Sequence, residues 1–321
     1  MINKPIIAVS SCLLGNNVRF DGGHKKNSLI SDILPEFMNI QCICPEKGIG
    51  LPSPRPAIRL QKIKGKTRLV QSNDHSIDIT DKMNSYSSSI TEKLSEIDGF
   101  ILKKGSPTCG AWRVPIVVND KGYRTYDGTG VFTKKLFENY PWIPVEEEGR
   151  LKDPHLCENF FERVYALRRW HDIQEPEKNL KAFIEFHSKH KLMLMARNHH
   201  QYQKLGQWVA GTNISNLKER RIKYIIMFMD TLKLRTSKGK NVNVLLHIMG
   251  YLKKKLQPND KQELINIFEA YRSNQMPLIT PLTLLKHHLR RYPSNYIMQQ
   301  HYLDPCPSSS ALLALRTSVA S

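Results

Sequence analysis

The first half of the chain alternates short apolar runs with helix-like stretches. Strand-like runs are predicted at 5–9, 39–43, 98–102 and 114–118. Helices are predicted at 27–36 and 80–96, and the second has apolar residues at helical spacing with Thr80 as its N-cap. Strands that alternate with helices predict an α/β domain with a mostly parallel sheet. Ligand sites in such a domain lie beyond the carboxyl ends of the strands.

The second half repeats apolar residues every three or four positions and predicts an all-α domain of about seven helices. The clearest candidates are 156–170, 179–198, 216–233, 241–256 and 260–274. The pattern changes within 141–155, where acidic residues, a glycine and prolines interrupt it. We therefore predict an α/β domain over 1–148, a helical domain over 149–307, and a disordered Ser-rich tail over 308–321.

Charge separates the two halves further. The chain has 321 residues and a net charge of +19. Residues 151–321 hold 27 Lys and Arg against 13 Asp and Glu, a balance of +14. An excess of this size commonly marks a surface for a polyanion, most often a nucleic acid. The alternative is a basic protein whose charge serves only solubility.

Composition limits the cellular setting. Apolar runs such as 224–229 are too short for a membrane span, and the apolar stretch near the first residue is too short for a signal peptide. Six cysteines are too few for a disulfide scaffold in a chain of this length. We expect a cytoplasmic protein in which clustered cysteines serve metal binding or catalysis.

Three cysteines share one predicted position. Cys12, Cys44 and Cys109 each follow a predicted strand, in a loop rich in Gly, Pro or Ser. Any one of them alone would more often be a buried core residue. In a parallel sheet, however, such loops emerge at the same edge, so the three thiols can converge there. Three thiolates suit zinc or an iron–sulfur cluster.

The number of ligands favours a reactive centre. Structural metal sites usually close with four protein ligands, whereas catalytic sites keep one position open. His24 is a possible fourth ligand, although the loop around it is more typical of one that faces an anion. Cys42 falls inside a predicted strand and is predicted to be a core residue, whereas Cys157 and Cys306 are predicted to be structural or incidental.

Candidate acids, bases and substrate contacts lie beside these cysteines. Glu46 could move a proton or position water, and Ser106 could offer its hydroxyl to substrate or water. The alternatives are a surface glutamate and a turn-forming serine. Further candidate contacts to an anionic or polar substrate are Asp21, His24, Arg55, Lys103, Lys104 and the turn over 127–130.

The motifs resemble a known family. "SSCLLG", "CPEKGIGLPSPRP", "KKGSPTCG" and "DGTGVF" are similar to the TudS-like desulfidases. The segments "LCENFFERVYALRRW" and "YQKLGQWVA" resemble the YbgA-type helical domain that is often fused to them. Together the resemblance covers about residues 4–307. The fused arrangement resembles the bacterial tRNA 4-thiouridine desulfidases.

The resemblance implies a 4Fe-4S cluster held by Cys12, Cys44 and Cys109, with one iron left open. It implies a non-redox reaction in which the open iron takes the sulfur at C4 of 4-thiouridine, water attacks that carbon, and hydrosulfide is released. Glu46 would activate water and Ser106 would orient it. The expected partner is tRNA. Alternatives are a zinc-stabilised RNA-binding protein, a desulfidase of free thiouracil, and a thiol enzyme with a Cys12 nucleophile.

Basic clusters in the helical half are the candidate RNA contacts. Combined with tyrosines, they could form a surface for phosphates and stacked bases. They are Arg220, Arg221, Lys253, Lys254 and Arg290. His187 and His190 lie three apart on one predicted helix without an obvious third metal ligand, so we predict that they face solvent or RNA.

Overall fold

A computed structural model of the chain describes residues 3–119, 121–174 and 179–306. The described residues form two compact units that divide between His171 and Asp172. This division lies later than the predicted boundary between residues 148 and 149, because a long helix after that boundary belongs to the first unit. The predicted tail over 308–321 lies outside the described residues.

The first unit combines strands and helices, as predicted. Its strands are β1 (Ile6–Ser10), β2 (Asn39–Ile43), β3 (Ile58–Ile63), β4 (Lys66–Gln71), β5 (Gly99–Leu102), β6 (Val114–Val117), β7 (Arg124–Gly128) and β8 (Val145–Glu147). Its α-helices are α1 (Pro45–Gly48), α2 (Thr80–Glu92), α3 (Val131–Asn139) and α4 (Pro154–Asp172), which ends at the division. The predicted fold class is confirmed: an α/β region with a parallel sheet precedes a helical region.

One sheet is parallel throughout, in the order β2-β1-β5-β8. The central strands β1 and β5 are almost fully buried, which explains why they appear in the sequence as continuous apolar runs. Strand β2 lies at the edge, and most of its residues are exposed or half-buried. The carboxyl ends of β2, β1 and β5 therefore lie side by side.

Helix α4 packs on this sheet. A side chain at Gly99 would lie 2.8 Å from Val164 and 3.4 Å from Phe160, so the glycine permits close contact between strand and helix. The fully buried Asp98 carboxylate accepts a hydrogen bond from the backbone N–H of Ile6 at 2.7 Å, and it lies 2.8 Å from Nδ1 of His171. These contacts explain why α4 belongs to the first unit.

A second sheet was not predicted. Its order is β4-β3-β6-β7, with β3 and β6 parallel and the outer pairs antiparallel. The predicted strand at 114–118 belongs to this sheet as β6. A two-residue turn joins β3 to β4, and both turn residues, Lys64 and Gly65, have positive φ angles of 47° and 78°. Such turns match the twist of a hairpin, so the Lys-Gly pair was the available signal.

Two local predictions differ from the structure. Residues 29–36 form a short π-helical turn and a 3-10 turn in place of a regular helix, and Pro35 interrupts the backbone hydrogen bonding there. Thr80 is the first residue of α2 and is not its N-cap. Its buried hydroxyl accepts a hydrogen bond from the N–H of Leu69 at 2.7 Å and donates one to Asp78 at 2.6 Å.

The second unit is helical. Its helices are α5 (Leu180–Arg197), α6 (His199–Ala210), α7 (Leu217–Lys233), α8 (Lys238–Leu252), α9 (Pro258–Arg272), α10 (Ile279–Arg291) and α11 (Asn295–Met298). The side chains of Asn179 and Asn198 cap α5 and α6 by accepting backbone N–H groups. The core contains a cluster of aromatic rings from α5 and α7. Across the described stretches of the chain, no helix combines the length and apolar character needed to cross a membrane.

Candidate metal centre

The structure brings the three predicted cysteines to one cavity. Cys12 lies in the 3-10 turn directly after β1, Cys44 lies between β2 and α1, and Cys109 lies in the loop that follows β5. All three line a cavity of about 300 Å³ at the carboxyl edge of the parallel sheet. The adjacency of β2, β1 and β5 is therefore what joins residues that are far apart in the sequence.

Burial makes these thiols weak acids. It raises the pKa of Cys12 to about 11 and that of Cys109 to about 12, and it also raises the pKa of Cys44. The thiols are protonated at neutral pH when no metal is bound, and a protonated buried thiol is a poor nucleophile. This environment disfavours a thiol enzyme that uses Cys12 alone. A metal would displace the protons directly.

The donor set fits an iron–sulfur cluster. Thiolates are the ligands that such clusters take from proteins, and all three thiols face the same cavity. Within 3–119, 121–174 and 179–306, no group of three Cys, His, Asp or Glu side chains is placed to hold a single metal ion. A cluster has several irons and takes its thiolates from positions further apart than one ion does. The arrangement of the three cysteines is compatible with the larger group.

Glu46 lies on the wall of the cavity and is held from two sides. Oε2 accepts hydrogen bonds from the guanidinium of Arg55, whose side chain is buried and also donates to the carbonyl of Pro52 at 2.8 Å. Oε1 accepts a hydrogen bond from the hydroxyl of Thr108 at 2.8 Å. The carboxylate therefore has a fixed orientation and a neutralising charge beside it.

Ser106 extends this network. Its Oγ accepts hydrogen bonds from the backbone N–H groups of Thr108 and Cys109, at 3.3 and 3.1 Å. Its hydroxyl lies 3.0 Å from Oγ1 of Thr108. Because the single Thr108 proton points to Glu46, the Ser106 hydroxyl is the donor in this last pair. A continuous row of hydrogen bonds thus leads from Ser106 through Thr108 to Glu46.

Thr108, which is fully buried, was not predicted from the sequence. The pairing of Arg55 with Glu46 was not predicted either, since Arg55 was expected to contact substrate. Arg55 does line the cavity, but its guanidinium is occupied by protein groups. A hydroxyl next to a candidate ligand in "GSPTCG" was the only sequence signal for Thr108.

The start of α3 supports the Cys109 loop. Backbone N–H groups of residues 130, 131 and 132 donate to the carbonyls of residues 110, 107 and 108, at 2.8 to 3.1 Å. Thr133 donates its hydroxyl to the carbonyl of Cys109 at 2.7 Å. A side chain at Gly130 would lie 2.4 Å from the carbonyl oxygen of Thr108, so only glycine fits. The turn over 127–130 is therefore a structural support, and it does not line the cavity as predicted for a substrate contact.

The predicted substrate contacts divide into two groups. Lys103 lines the cavity, where its ammonium group pairs with Glu148. Asp21 and His24 are not among the lining residues. Asp21 pairs with Arg19 at 3.2 Å, and Nδ1 of His24 accepts the backbone N–H of Lys26 at 3.1 Å. Both side chains stabilise their own loop.

The basic rim of the cavity differs from the prediction. Arg19 lines the cavity together with Lys103 and Lys104. Arg19 was not singled out in the sequence, although it lies between the first cysteine and the glycine-rich loop. The rim therefore carries basic side chains from two separate loops, and two of them, Arg19 and Lys103, are paired with carboxylates.

The remaining cysteines behave in two ways. Cys42 is exposed, so its prediction as a core residue is wrong. The reason is that β2 is an edge strand, and most of its residues are exposed or half-buried. Cys157 and Cys306 are buried away from the cavity, in agreement with a structural role.

Two of the candidate RNA contacts have internal roles. Arg221 is buried and donates to the carbonyl of Ile173 at 2.9 Å, so it is not presented to a partner and this prediction is wrong. Arg220 is half-buried, lies over the ring of Trp208 and donates to Thr212. The other three candidates are exposed; they are Lys253, Lys254 and Arg290.

The two histidines on α5 are also buried, and the prediction that they face solvent or RNA is wrong. Nδ1 of His187 lies 3.0 Å from the hydroxyl of Tyr224. Burial, followed by the positive charge of Lys191, lowers the pKa of His187 to about 4. His190 packs against Phe186, with ring centroids 4.1 Å apart. Both histidines are core residues, and His187 is neutral at neutral pH.

Comparisons with known proteins match two separate segments. Residues 7–148 match the family described as 2-thiouracil desulfurase. Residues 191–307 match the family described as protein of unknown function, DUF1722. The chain is 29% identical over 146 residues to the "Uncharacterized protein YbgA" of Escherichia coli (strain K12). This match covers 45% of the chain and 86% of the E. coli protein.

The chain is also similar to a solved structure of the 4Fe-4S-dependent thiouracil desulfidase TudS, with 29% sequence identity and a TM-score of 0.39. This match covers 48% of the chain and 97% of the TudS chain. The N-terminal segment is thus similar to thiouracil desulfurases, and the C-terminal segment is similar to DUF1722 proteins. This order agrees with the fused arrangement that the sequence motifs predict.

Proposed function

We propose that the protein is an iron–sulfur-dependent desulfidase that removes sulfur from a thiolated uracil base. The observation that carries this proposal is the cavity in which Cys12, Cys44 and Cys109 face the hydrogen-bonded row from Ser106 to Glu46. The similarity of residues 7–148 to 2-thiouracil desulfurases supports the same reaction class. The three cysteines are the proposed ligands of a 4Fe-4S cluster.

When bound, a cluster with three protein ligands supplies a Lewis-acidic iron with affinity for sulfur. The protein groups manage water and protons. Glu46 accepts a proton from the water that attacks the thiolated carbon, while Arg55 and Thr108 hold the carboxylate in place. Ser106 donates its hydroxyl to Thr108 and so positions the carboxylate through that residue. Water supplies the oxygen of the product, and the sulfur leaves as hydrosulfide, so no oxidant or reductant is consumed.

We further propose that the natural substrate is 4-thiouridine within tRNA. Support comes from the balance of +14 over residues 151–321 and from the exposed Lys253, Lys254 and Arg290. Free thiouracil is the second candidate substrate, because it is the substrate class in the printed names of the similar family and solved structure. A free base would require no basic helical unit.

The cluster is tested by anaerobic purification followed by analysis of iron and sulfide. Cys12→Ser, Cys44→Ser and Cys109→Ser are each expected to lose most of the iron. Cys42→Ser is the matched control, since Cys42 is exposed and outside the cavity, and it should retain full iron content. A colourless protein with stoichiometric zinc after reconstitution with iron and sulfide would overturn the proposal and favour the zinc-stabilised alternative.

The substrate is tested with the reconstituted protein. Mass spectrometry of nucleosides should show conversion of 4-thiouridine to uridine in tRNA, with one hydrosulfide released per base. Free 4-thiouracil and 2-thiouracil serve as the competing substrates at equal concentration. A higher kcat/KM on the free bases than on tRNA would contradict the tRNA assignment while leaving the desulfidase reaction intact.

A further inference from the structure

Five side chains form a row of rings on the surface of the second unit. We call this set the aromatic row; it consists of His199, Tyr202, Tyr296, Tyr251 and His247. Ring centroids are 5.7 Å apart between the first two members. They are 5.8 Å apart between Tyr251 and Tyr296, and 5.5 Å apart between Tyr251 and His247. The members come from three helices, α6, α8 and α11.

Tyr296 has both Tyr251 and Tyr202 nearby. Burial raises the pKa of Tyr296, and the proximity of Tyr251 and Tyr202 raises it further. Tyr296 is thus in ring contact with Tyr251 of α8 and lies near Tyr202 of α6. Three members are open to solvent: 46% of Tyr251 is exposed, and both His199 and His247 are exposed.

The three segments of the sequence that contain the aromatic row have no acidic residues. Residues 186–218, 231–259 and 270–303 contain five, seven and four Lys or Arg and no Asp or Glu. Every member of the aromatic row lies within one of these segments. The acidic residues of the second unit are confined to other stretches of the sequence, so no carboxylate on α6, α8 or α11 would repel a phosphate.

Two lysines follow the α8 end of the aromatic row. Lys253 and Lys254 are exposed directly after α8, two and three residues beyond Tyr251. Proteins hold unpaired nucleotides with aromatic rings and nearby cations, since bases stack on the rings and phosphates pair with the cations.

We propose that the aromatic row and these lysines form a binding surface for single-stranded RNA. The proposal deepens the proposed function, because it names the surface that would hold an unpaired segment of the tRNA substrate. The charge of these segments favours RNA over a protein partner: a protein interface is on average depleted in lysine, whereas the three segments that carry the aromatic row contain lysines and arginines and no acidic residues.

The test measures RNA binding to the whole 321-residue chain, and it needs no sulfur chemistry. The probes are a fluorescent oligouridine and an unmodified tRNA. Tyr251→Ala is expected to weaken binding of both about tenfold, because one stacked base is lost. Tyr251→Phe should bind like the unaltered protein, since it keeps the ring. Tyr123→Ala is the matched control: Tyr123 is 67% exposed but lies in the first unit, and its loss should not change binding.

The lysines are tested through salt dependence. The double variant Lys253→Ala and Lys254→Ala should reduce the slope of log Kd against the logarithm of the salt concentration by about 1.4. This corresponds to the loss of two phosphate contacts on a single strand. Thermal unfolding of each variant shows that the fold is retained. A Tyr251→Leu variant repeats the ring test with an apolar side chain, should the alanine variant be unstable.

The outcomes separate this proposal from the proposed function. Equal RNA affinity for Tyr251→Ala, Tyr251→Leu and Tyr123→Ala would overturn the proposed RNA-binding surface, whether or not the protein converts thiouridine. Tighter binding of polyglutamate than of oligouridine would show a surface for an acidic protein, and would also overturn it. A ring-dependent loss of RNA binding in a protein that desulfidates only free bases would support the surface and contradict the tRNA substrate.

Discussion

Thr108→Val removes one hydroxyl and keeps the shape of a buried side chain. Thr108 is fully buried, and its hydroxyl is the link between Ser106 and the Glu46 carboxylate. Valine cannot donate to the carboxylate and cannot accept from Ser106. The variant therefore separates the two proposed catalytic groups without changing any cysteine.

The expected loss follows from the bond that disappears. A hydrogen bond to a charged group contributes about 1.5–3 kcal/mol. A loss of about 2 kcal/mol from the transition state would lower kcat/KM roughly 30-fold. Because Arg55 still holds the other carboxylate oxygen, activity should not disappear entirely. Thr108→Ser restores the hydroxyl and should recover most of the activity.

The assay is the rate of 4-thiouridine loss, expressed per cluster from the measured iron content. Thr231→Val is the matched control, since Thr231 is 2% exposed and its hydroxyl donates to the carbonyl of Met227 at 2.7 Å, in the other unit. It should lose about 1 kcal/mol of unfolding free energy with no change in kcat/KM. If Thr108→Val with full iron content has a kcat/KM within twofold of that of the unaltered protein, the hydrogen-bonded row does not serve catalysis.

Two further predictions concern stability. Gly130→Ala should lower the unfolding free energy by about 3 kcal/mol, because the new methyl group would lie 2.4 Å from the carbonyl oxygen of Thr108. The control is Gly239→Ala, at a helical position with open space, which should raise the unfolding free energy by about 0.5–1 kcal/mol. Urea unfolding measures both changes. Acidification should destabilise the protein through His187: its folded pKa of about 4 lies below the ordinary value of 6.5. This stability is therefore complete above pH 6.5 and decreases toward pH 4, by about 3 kcal/mol in total. His187→Gln should remove that share of the pH dependence in unfolding measured at pH 7 and pH 4; an unchanged dependence would show that another group is responsible.

The positions of Cys12, Cys44 and Cys109 could be predicted from the sequence, because each depends on one local pattern, an apolar run followed by a turn. Parallel pairing then places such turns at one edge without further information. The network around Glu46 could not be predicted in this way. Its bond to Thr108 joins residues 62 positions apart, and it depends on how two loops approach each other.

Burial within single elements was the other source of error. Cys42 lies in an apolar run, but its strand is at the sheet edge, and pairing order is a property of the whole sheet. His187 and His190 lie on a helix with apolar residues on most of its circumference, so periodicity does not identify an outer face. Likewise, three strands of the second sheet carry charged residues on their exposed positions and lack the apolar runs that reveal buried strands; they are β3, β4 and β7.

The bonds between α3 and the Cys109 loop also bear on how the holoprotein is assembled. The loop that carries this cysteine is shaped by backbone donors at residues 130 to 132 and by the Thr133 hydroxyl, all of them groups of the polypeptide itself. Small zinc domains differ, because they fold only around their ion. If the proposed cluster binds beside this loop, we expect that a protein stripped of iron keeps the loop and takes up a new cluster without refolding.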